Sequence, residues 1–556
     1  MFIPIDSAPD YRKREAVAAG GMITCLHPLA ADAAVAVLRD GGNAIDAAVV
    51  AGFVLGVVEP MMSGVGGGGI LAVRLADGRV VVIEHAPQAP AAATPDMFTL
   101  VGEGTAGFYG WPSVEGNANI VGPRAIAVPG TVAGLSLALA RFGSLPLADA
   151  LAPAIRLAEE GFPLDWFTAS AIAVDTKYLR RFPASAAIFL PDGVPLPPHY
   201  DIYPSRLVQR DLAATLRQIA RGGAETFYRG ELARRLAADL GPGALLTADD
   251  LAAYEPRVYE GDDARIGAYR GLDIDGAPFE GGAVTTAEIL GLLDHHPAPD
   301  RPGSGPAYHL TVEAARRAFA DRFASLADHA QVDAPWATLR DPAYLAERAA
   351  EIDPERAVLD VGAGRVASPA GGHTTHLCVV DAARNTVALT QTLLDHFGSR
   401  VVAPGTGVVL NNGMMWFDPR PGRPNSVAGG KRALTAMSPL VLSRDGQPVL
   451  AIGGSGGRKI LTAVAQVVGH VVDHGYGPQA AIEVPRVHCE GIDTLVDSRA
   501  DPDAIADLER RGHRLKVMTE SPVHANFALP NAIAIGADGL LRGGVDPLRP
   551  GTARGV

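Results

Sequence analysis

SPAGGHTTHLCVVDAARNTVALTQTL, residues 368–393, is the stretch whose reading decides the fold. Two glycines, Gly371 and Gly372, follow a proline and precede a polar cluster, which describes an exposed, flexible loop. From His376 onward the chain alternates, turns and alternates again, so a hairpin is expected. The loop therefore runs straight into a sheet and is a candidate for backbone cleavage. Upstream, ILAVRLADGRVVVIEH reads as two strands joined by Asp77-Gly78, the strongest short hairpin signal. Small and apolar residues at helical spacing between Pro28 and Val58, broken by the Gly41-Gly42-Asn43 turn, predict two core helices. Helical patterns dominate residues 130–260 and 308–350. The order is helix, sheet, many helices, sheet, helix, with no fixed-period repeat. Two sheet blocks separated by a long helical middle favour a layered α+β sandwich over an alternating βαβ fold. The only plausible linkers are residues 297–306 and 353–373.

Length and composition narrow the function. At 556 residues the prior is three to four domains, with one large layered domain still open. Apolar residues at 48% and charged residues at 20% argue against a disordered or fibrous chain. A net charge of −13 without a basic stretch argues against a nucleic-acid partner, which would need a cationic face. Cys25, Cys378 and Cys489 lie far apart, giving neither a disulfide framework nor a metal-type pair, and a reducing compartment fits. The first residues offer no apolar signal core, so cytoplasmic residence is the default expectation. The apolar run Ala47–Val58 is too short to span a membrane and reads as a buried helix.

Three motifs carry chemical readings. Gly64–Gly69 fits GxGxxG but opens into a strand instead of a helix, so a close-packed glycine turn is expected there and no dinucleotide site. Gly453-Gly454-Ser455-Gly456-Gly457 fits GxSxG between a strand and a helix. A Ser455 nucleophile would need partners such as Asp493 and His488 or His513. The preferred reading is an oxyanion hole from Gly456 and Gly457, because amides at a helix N-terminus face developing negative charge. His373-Thr374-Thr375-His376 lacks the helix and glutamate of a metal site. A threonine after a flexible loop is instead a latent N-terminal nucleophile: cleavage before Thr374 would give one residue both a hydroxyl and an α-amine base of pKa about 7.7–8.0.

Read together, HPLAADAAVAVLRDGGNAIDAAVVAGFVLGVVEPMMSGVGGGG, IAVPGTVAGL, LAPAIRLAEEGF, AYHLTVEAARRAFADR, TTHLCVVD, FGSRVVAPGTGVVLNN, KRALTAMSP and GGSGGRKI resemble the γ-glutamyltransferase family of N-terminal-nucleophile hydrolases, in family order over nearly the whole chain. The resemblance implies a four-layer αββα sandwich made as a precursor that cuts itself before Thr374. Residues 1–373 would form a large subunit and residues 374–556 a small one, together a single structural domain. It implies that Thr374 is the nucleophile, that Thr392 aligns it, and that Gly456 and Gly457 form the oxyanion hole. No cofactor or metal is implied.

The family's γ-glutamyl pocket is not retained. Ile83 stands where an arginine binds the glutamate α-carboxylate, Gly413 and Trp416 fall in LNNGMMWF where the family reads LNNQMDDF, Leu394 replaces an asparagine, and Thr435-Ala436 replaces a serine pair. Each loss removes a charge-assisted contact. Substrate binding is accordingly assigned to a remodelled, more apolar pocket with Leu394, Gly413, Trp416 and Thr435, and with Arg400 or Arg432 as candidate cations for a carboxylate. The expectation is an amide hydrolase or acyltransferase acting on a small-molecule acyl amide, in the manner of the family's acylase-like branches on amides of dicarboxylic acids. The alternatives are a true γ-glutamyltransferase with a rebuilt clamp, an unprocessed scaffold, and a serine-elbow hydrolase. No membrane partner is expected, and the mature form would be an α/β heterodimer, alone or as a dimer of heterodimers.

Overall fold

A computed structural model describes residues 12–102, 112–202, 204–362, 373–521 and 526–556. Two seven-stranded antiparallel sheets dominate it. In the first, the strand order is Thr552–Gly555, Met22–Cys25, His373–Val380, Thr386–Leu394, Gly68–Arg74, Val80–His85 and Arg257–Glu260. In the second it is Ala16–Ala18, Leu541–Val545, Leu529–Ile535, Gln447–Ser455, Leu440–Arg444, Leu272–Asp275 and Arg265–Tyr269. Both predicted hairpins are present: Asp77-Gly78 joins strands paired Leu71 to Ile83, and the strand of Thr374 pairs with that of Thr392.

Alternation along the strands builds the layers, because successive side chains face opposite ways. Leu377 and Val379 point into a core shared with helices Pro28–Arg39, Ala44–Val58 and Thr131–Phe142. Cys378 and Val380 point into the seam between the sheets, where they join Ile70, Val441 and Ile533. The outer face of the second sheet, with Ile274, Leu440 and Ile452, packs under helices Ala283–Asp294, Gly305–Ser325 and Lys459–Val472. The result is the four-layer sandwich. The helix Ala44–Val58 is buried along its whole length, capped by Asn43 and Asp46. Strands from both sides of residues 363–372 contribute to each sheet, so the two parts share their cores.

Candidate active site

Thr374 is the second residue of the central strand His373–Val380 and is buried. Its Oγ1 donates to Thr392 Oγ1 at 3.4 Å, and the Leu394 amide donates to the same Thr392 oxygen at 2.7 Å. The ladder slips between the pairs His373–Leu394 and Thr375–Gln391, so that Thr392 and Leu393 together stand opposite Thr374, a bulge in the strand Thr386–Leu394. Leu394, Phe397 and Arg400 all have left-handed backbone, at φ 86°, 54° and 65°, a concentration of strain of the kind held at functional sites.

The glycines behind these threonines explain the GxGxxG string. A Cβ on Gly67 would lie 2.2 Å from the Thr392 carbonyl oxygen, and one on Gly66 equally close to the Val409 carbonyl, so only glycine lets the backbones meet. The Gly66 carbonyl accepts from Asn411 Nδ2 at 2.8 Å, and Asn411 Oδ1 accepts from the Gly413 amide at 2.8 Å.

The second glycine turn joins the strand Gln447–Ser455 to the helix Lys459–Val472. Gly456 and Gly457 have φ of 127° and 64°, and a Cβ on Gly456 would press on Ala528 Cα at 2.7 Å. Ala528, Leu394, Trp416, Leu434 and Ala436 belong to one apolar cluster, and Leu394 is the cross-strand partner of His373. That cluster links the strand of Thr374 to the glycine turn. Ser455 Oγ is buried without a hydrogen-bond partner; His488 bonds Thr462 and His513 bonds His309, so neither histidine engages the serine.

The remaining pocket residues divide. Gly413 is closed in: a Cβ there would meet Ala127 Cβ at 2.6 Å and Asn411 Oδ1 at 3.0 Å. Trp416 is buried in the short turn Gly413–Trp416, and its carbonyl accepts from Asn425 Nδ2 at 2.8 Å. Thr435 presents a buried Oγ1 with no hydrogen-bond partner, while its carbonyl accepts from the Arg322 guanidinium at 2.6 Å. Arg400 is held by two carboxylates, Asp175 at 3.0 Å and Asp395 at 2.8 Å, with Tyr178 beneath it. Arg432 is buried against Glu84 at 3.4 Å. Ile83 lies in the core under the helices.

Two nearby groups, Glu59 and His376, have no role in the sequence reading. Thr375 Oγ1 donates to Glu59 Oε2 at 2.7 Å. Burial pushes the Glu59 carboxyl up to about 7, against the pull of His27. Its signal was a lone acid closing an apolar helix. His376 bonds Thr390 at 2.8 Å and lies against Gly453; burial holds it down to about 3, so the ring is a neutral pin between the sheets.

The chain matches the gamma-glutamyltranspeptidase family over residues 30–556. It is 40% identical over 550 residues to the acylase ACY 1 proenzyme of Pseudomonas sp. (strain V22), covering 97% of this chain and 95% of that protein. It is 34% identical over 552 residues to the glutathione hydrolase proenzyme of Escherichia coli (strain K12), covering 95% and 90%. Among solved structures, a cephalosporin acylase from Bacillus halodurans superposes with a TM-score of 0.87 at 28% identity, over 100% of this chain and 99% of that one.

Proposed function

From the premise that this chain belongs to the gamma-glutamyltranspeptidase family, we propose that it is a self-processing acyl-amide hydrolase whose nucleophile is Thr374 and whose substrate is not a standard γ-glutamyl compound. The observation that carries the reading is the hydroxyl pair Thr374–Thr392, with Leu394, the cross-strand partner of His373, and Trp416 in one buried apolar cluster. In maturation, Thr374 Oγ attacks the His373 carbonyl carbon, the peptide nitrogen takes the hydroxyl proton and becomes the free α-amine, and water hydrolyses the resulting ester. Residues 1–373 and 374–556 then remain together as the two subunits.

In turnover the freed amine accepts the Thr374 hydroxyl proton as the oxygen attacks the substrate amide. The amides at Gly456 and Gly457 hold the tetrahedral oxyanion. The leaving amine takes the proton, and water or a second amine releases the acyl group. Thr392 aligns the nucleophile, and Leu394, Gly413, Trp416 and Thr435 shape the acyl pocket. Arg400, engaged by Asp175 and Asp395, holds its loop instead of a substrate carboxylate. The relatives' names, an acylase and a cephalosporin acylase, agree with this class. Intact mass and N-terminal sequencing of wild type and Thr374→Ala provide the test. Wild type is expected to split before Thr374 and the variant to stay whole; a variant that still splits there ends the reading.

A further inference from the structure

One short turn supports the strands of Thr374 and Thr392 together. Pro60 follows the helix Ala44–Val58 and stops it, and residues 59–63 turn back against the sheet. The turn is closed by the Met62 and Ser63 amides, which donate to the Glu59 carbonyl at 2.9 and 3.0 Å. Thr375 Oγ1 donates to Glu59 Oε2 at 2.7 Å, and Gln391, the cross-strand partner of Thr375, donates through Nε2 to Ser63 Oγ. The Leu393 amide donates to the Met62 carbonyl and the Phe397 amide to the Met61 carbonyl, both at 3.0 Å. Residues next to Thr374 on one strand and on both sides of Thr392 on the other therefore hang from one support.

Alternation along the strand gives this support a purchase on Thr374. Thr375, like Leu377 and Val379, faces the helix layer, so its side chain fixes the pleat from which Thr374 projects on the opposite side. Of the contacts named, the one from Thr375 ends on an ionisable group. Glu59 is 2% exposed and, among the described residues, forms no ion pair with a lysine or arginine. The groups that face it are Thr375, Cys25 from the strand Met22–Cys25, His27 ahead of the helix Pro28–Arg39, and Asp165 ahead of the helix Trp166–Leu179. Burial, with Asp165, favours the protonated carboxyl; His27 and the Thr375 hydroxyl favour the charged one. Burial keeps the Cys25 thiol neutral. A hydrogen bond to a carboxylate is roughly twice as strong as one to a neutral acceptor, so ionisation tightens the hold on Thr375.

We propose that Glu59 is a positioning residue for maturation, holding the segment to be cut through Thr375 so that the Thr374 hydroxyl meets the His373 carbonyl. The inference rests on the self-processing reading above and adds a regulation of the same site. Glu59 touches no reacting atom. As a carboxylate it pins Thr375 and the cut is fast; as a neutral acid it keeps the fold and slackens the segment, so the cut is slow.

Full-length chain made by cell-free synthesis, pulse-labelled, moved into buffers from pH 6 to pH 8.5 and followed by intact mass, tests it. Wild type is expected to split before Thr374 about fivefold faster at pH 8 than at pH 6, with a midpoint near 7. Glu59→Gln keeps an acceptor and loses the charge. It is expected to split about fivefold more slowly than wild type at pH 8 and at nearly the wild-type rate at pH 6. A Glu59→Gln chain with the wild-type rate and profile overturns the proposal, and so does one slowed equally at both pH values, which marks a merely structural role. Thr375→Val, which keeps the shape and loses the hydroxyl, is expected to slow the cut at pH 8 and flatten the profile, and Thr375→Ser to restore most of the rate. Should Glu59→Gln not fold, the Thr375 pair decides: a Thr375→Val chain that matures like wild type, or a Thr375→Ser chain as slow as Thr375→Val, overturns the proposal. Wild type that stays whole at every pH ends the self-processing reading and this inference with it. Wild type that splits before Thr374 beside an unaffected Glu59→Gln ends this inference alone.

Discussion

Thr392 does two things with one oxygen: it accepts from the Thr374 hydroxyl and from the Leu394 amide. The hydrogen bond from the amide fixes the Thr392 rotamer, and the rotamer sets where the Thr374 hydroxyl points. Thr392→Val keeps the shape and removes the acceptor. It is expected to lower kcat about a hundredfold with little change in KM, since misplacing a reacting atom by an ångström costs that much; an unchanged kcat would show Thr392 to be a packing residue only. Glu59 is the second residue whose protonation state matters. Its folded value of about 7 lies above the ordinary 4.5, so it is protonated in the fold at pH 5 and charged, without water, at pH 8. The folded state binds more protons than the unfolded one between those values, so stability falls as pH rises through this window. Glu59→Gln is therefore expected to gain thermal stability relative to wild type at pH 8 and much less at pH 5. A difference independent of pH would show that the carboxyl is not titrating there.

At the scale of elements, the site is a junction of two glycine turns with a bulged strand. Gly67 meets the carbonyl of Thr392, and Gly413 meets Ala127, each closer than a Cβ allows. Gly413→Gln, which restores the side chain typical of the γ-glutamyl enzymes, is expected to destabilise the fold by about 1–3 kcal/mol through overpacking and to gain no γ-glutamyl activity. Thermal unfolding and a γ-glutamyl-4-nitroanilide assay read the two effects; activity gained without loss of stability would mean that the pocket has room for the family's clamp. The elements themselves were legible: Asp77-Gly78 gave its hairpin, and the Gly41-Gly42-Asn43 turn with the apolar run Ala47–Val58 gave the helix Ala44–Val58, because these signals are local. The failed context of GxGxxG correctly identified a packed turn. What it packs against, the Thr392 carbonyl, was not legible, because residues 67 and 392 are brought together only by strand pairing. Arg400 was a candidate because it sits near Thr374 in sequence, while its partner Asp175 is distant.

Across the whole molecule, charge burial sets a pH profile. Burial lowers His85, His376 and His513 to about 3 and His470 to about 4, so the unfolded chain takes up protons first as pH falls below 6.5, and stability falls with it. Glu59, Glu280 and Glu520, each raised to about 7 by burial, act in the other direction between 4.5 and 7. The two groups offset each other above pH 4.5, and below it only the histidine effect remains, joined by carboxylates held low such as Glu490. The melting temperature is expected to vary little from pH 5 to 7 and to drop steeply from pH 4.5 to 3; a steady slope across the whole range would contradict this balance.

The strands that begin at Thr374 and Thr386 lie between Met22–Cys25 and Gly68–Arg74, so neither product of a cut before Thr374 owns a complete sheet. Before the cut, those strands find their places by a search within one molecule. After it, a denatured sample must reassemble by collision, at a rate that depends on dilution. Maturation by such a cut would be a ratchet in time: the two parts would keep an arrangement that was available cheaply only once, while they were still joined.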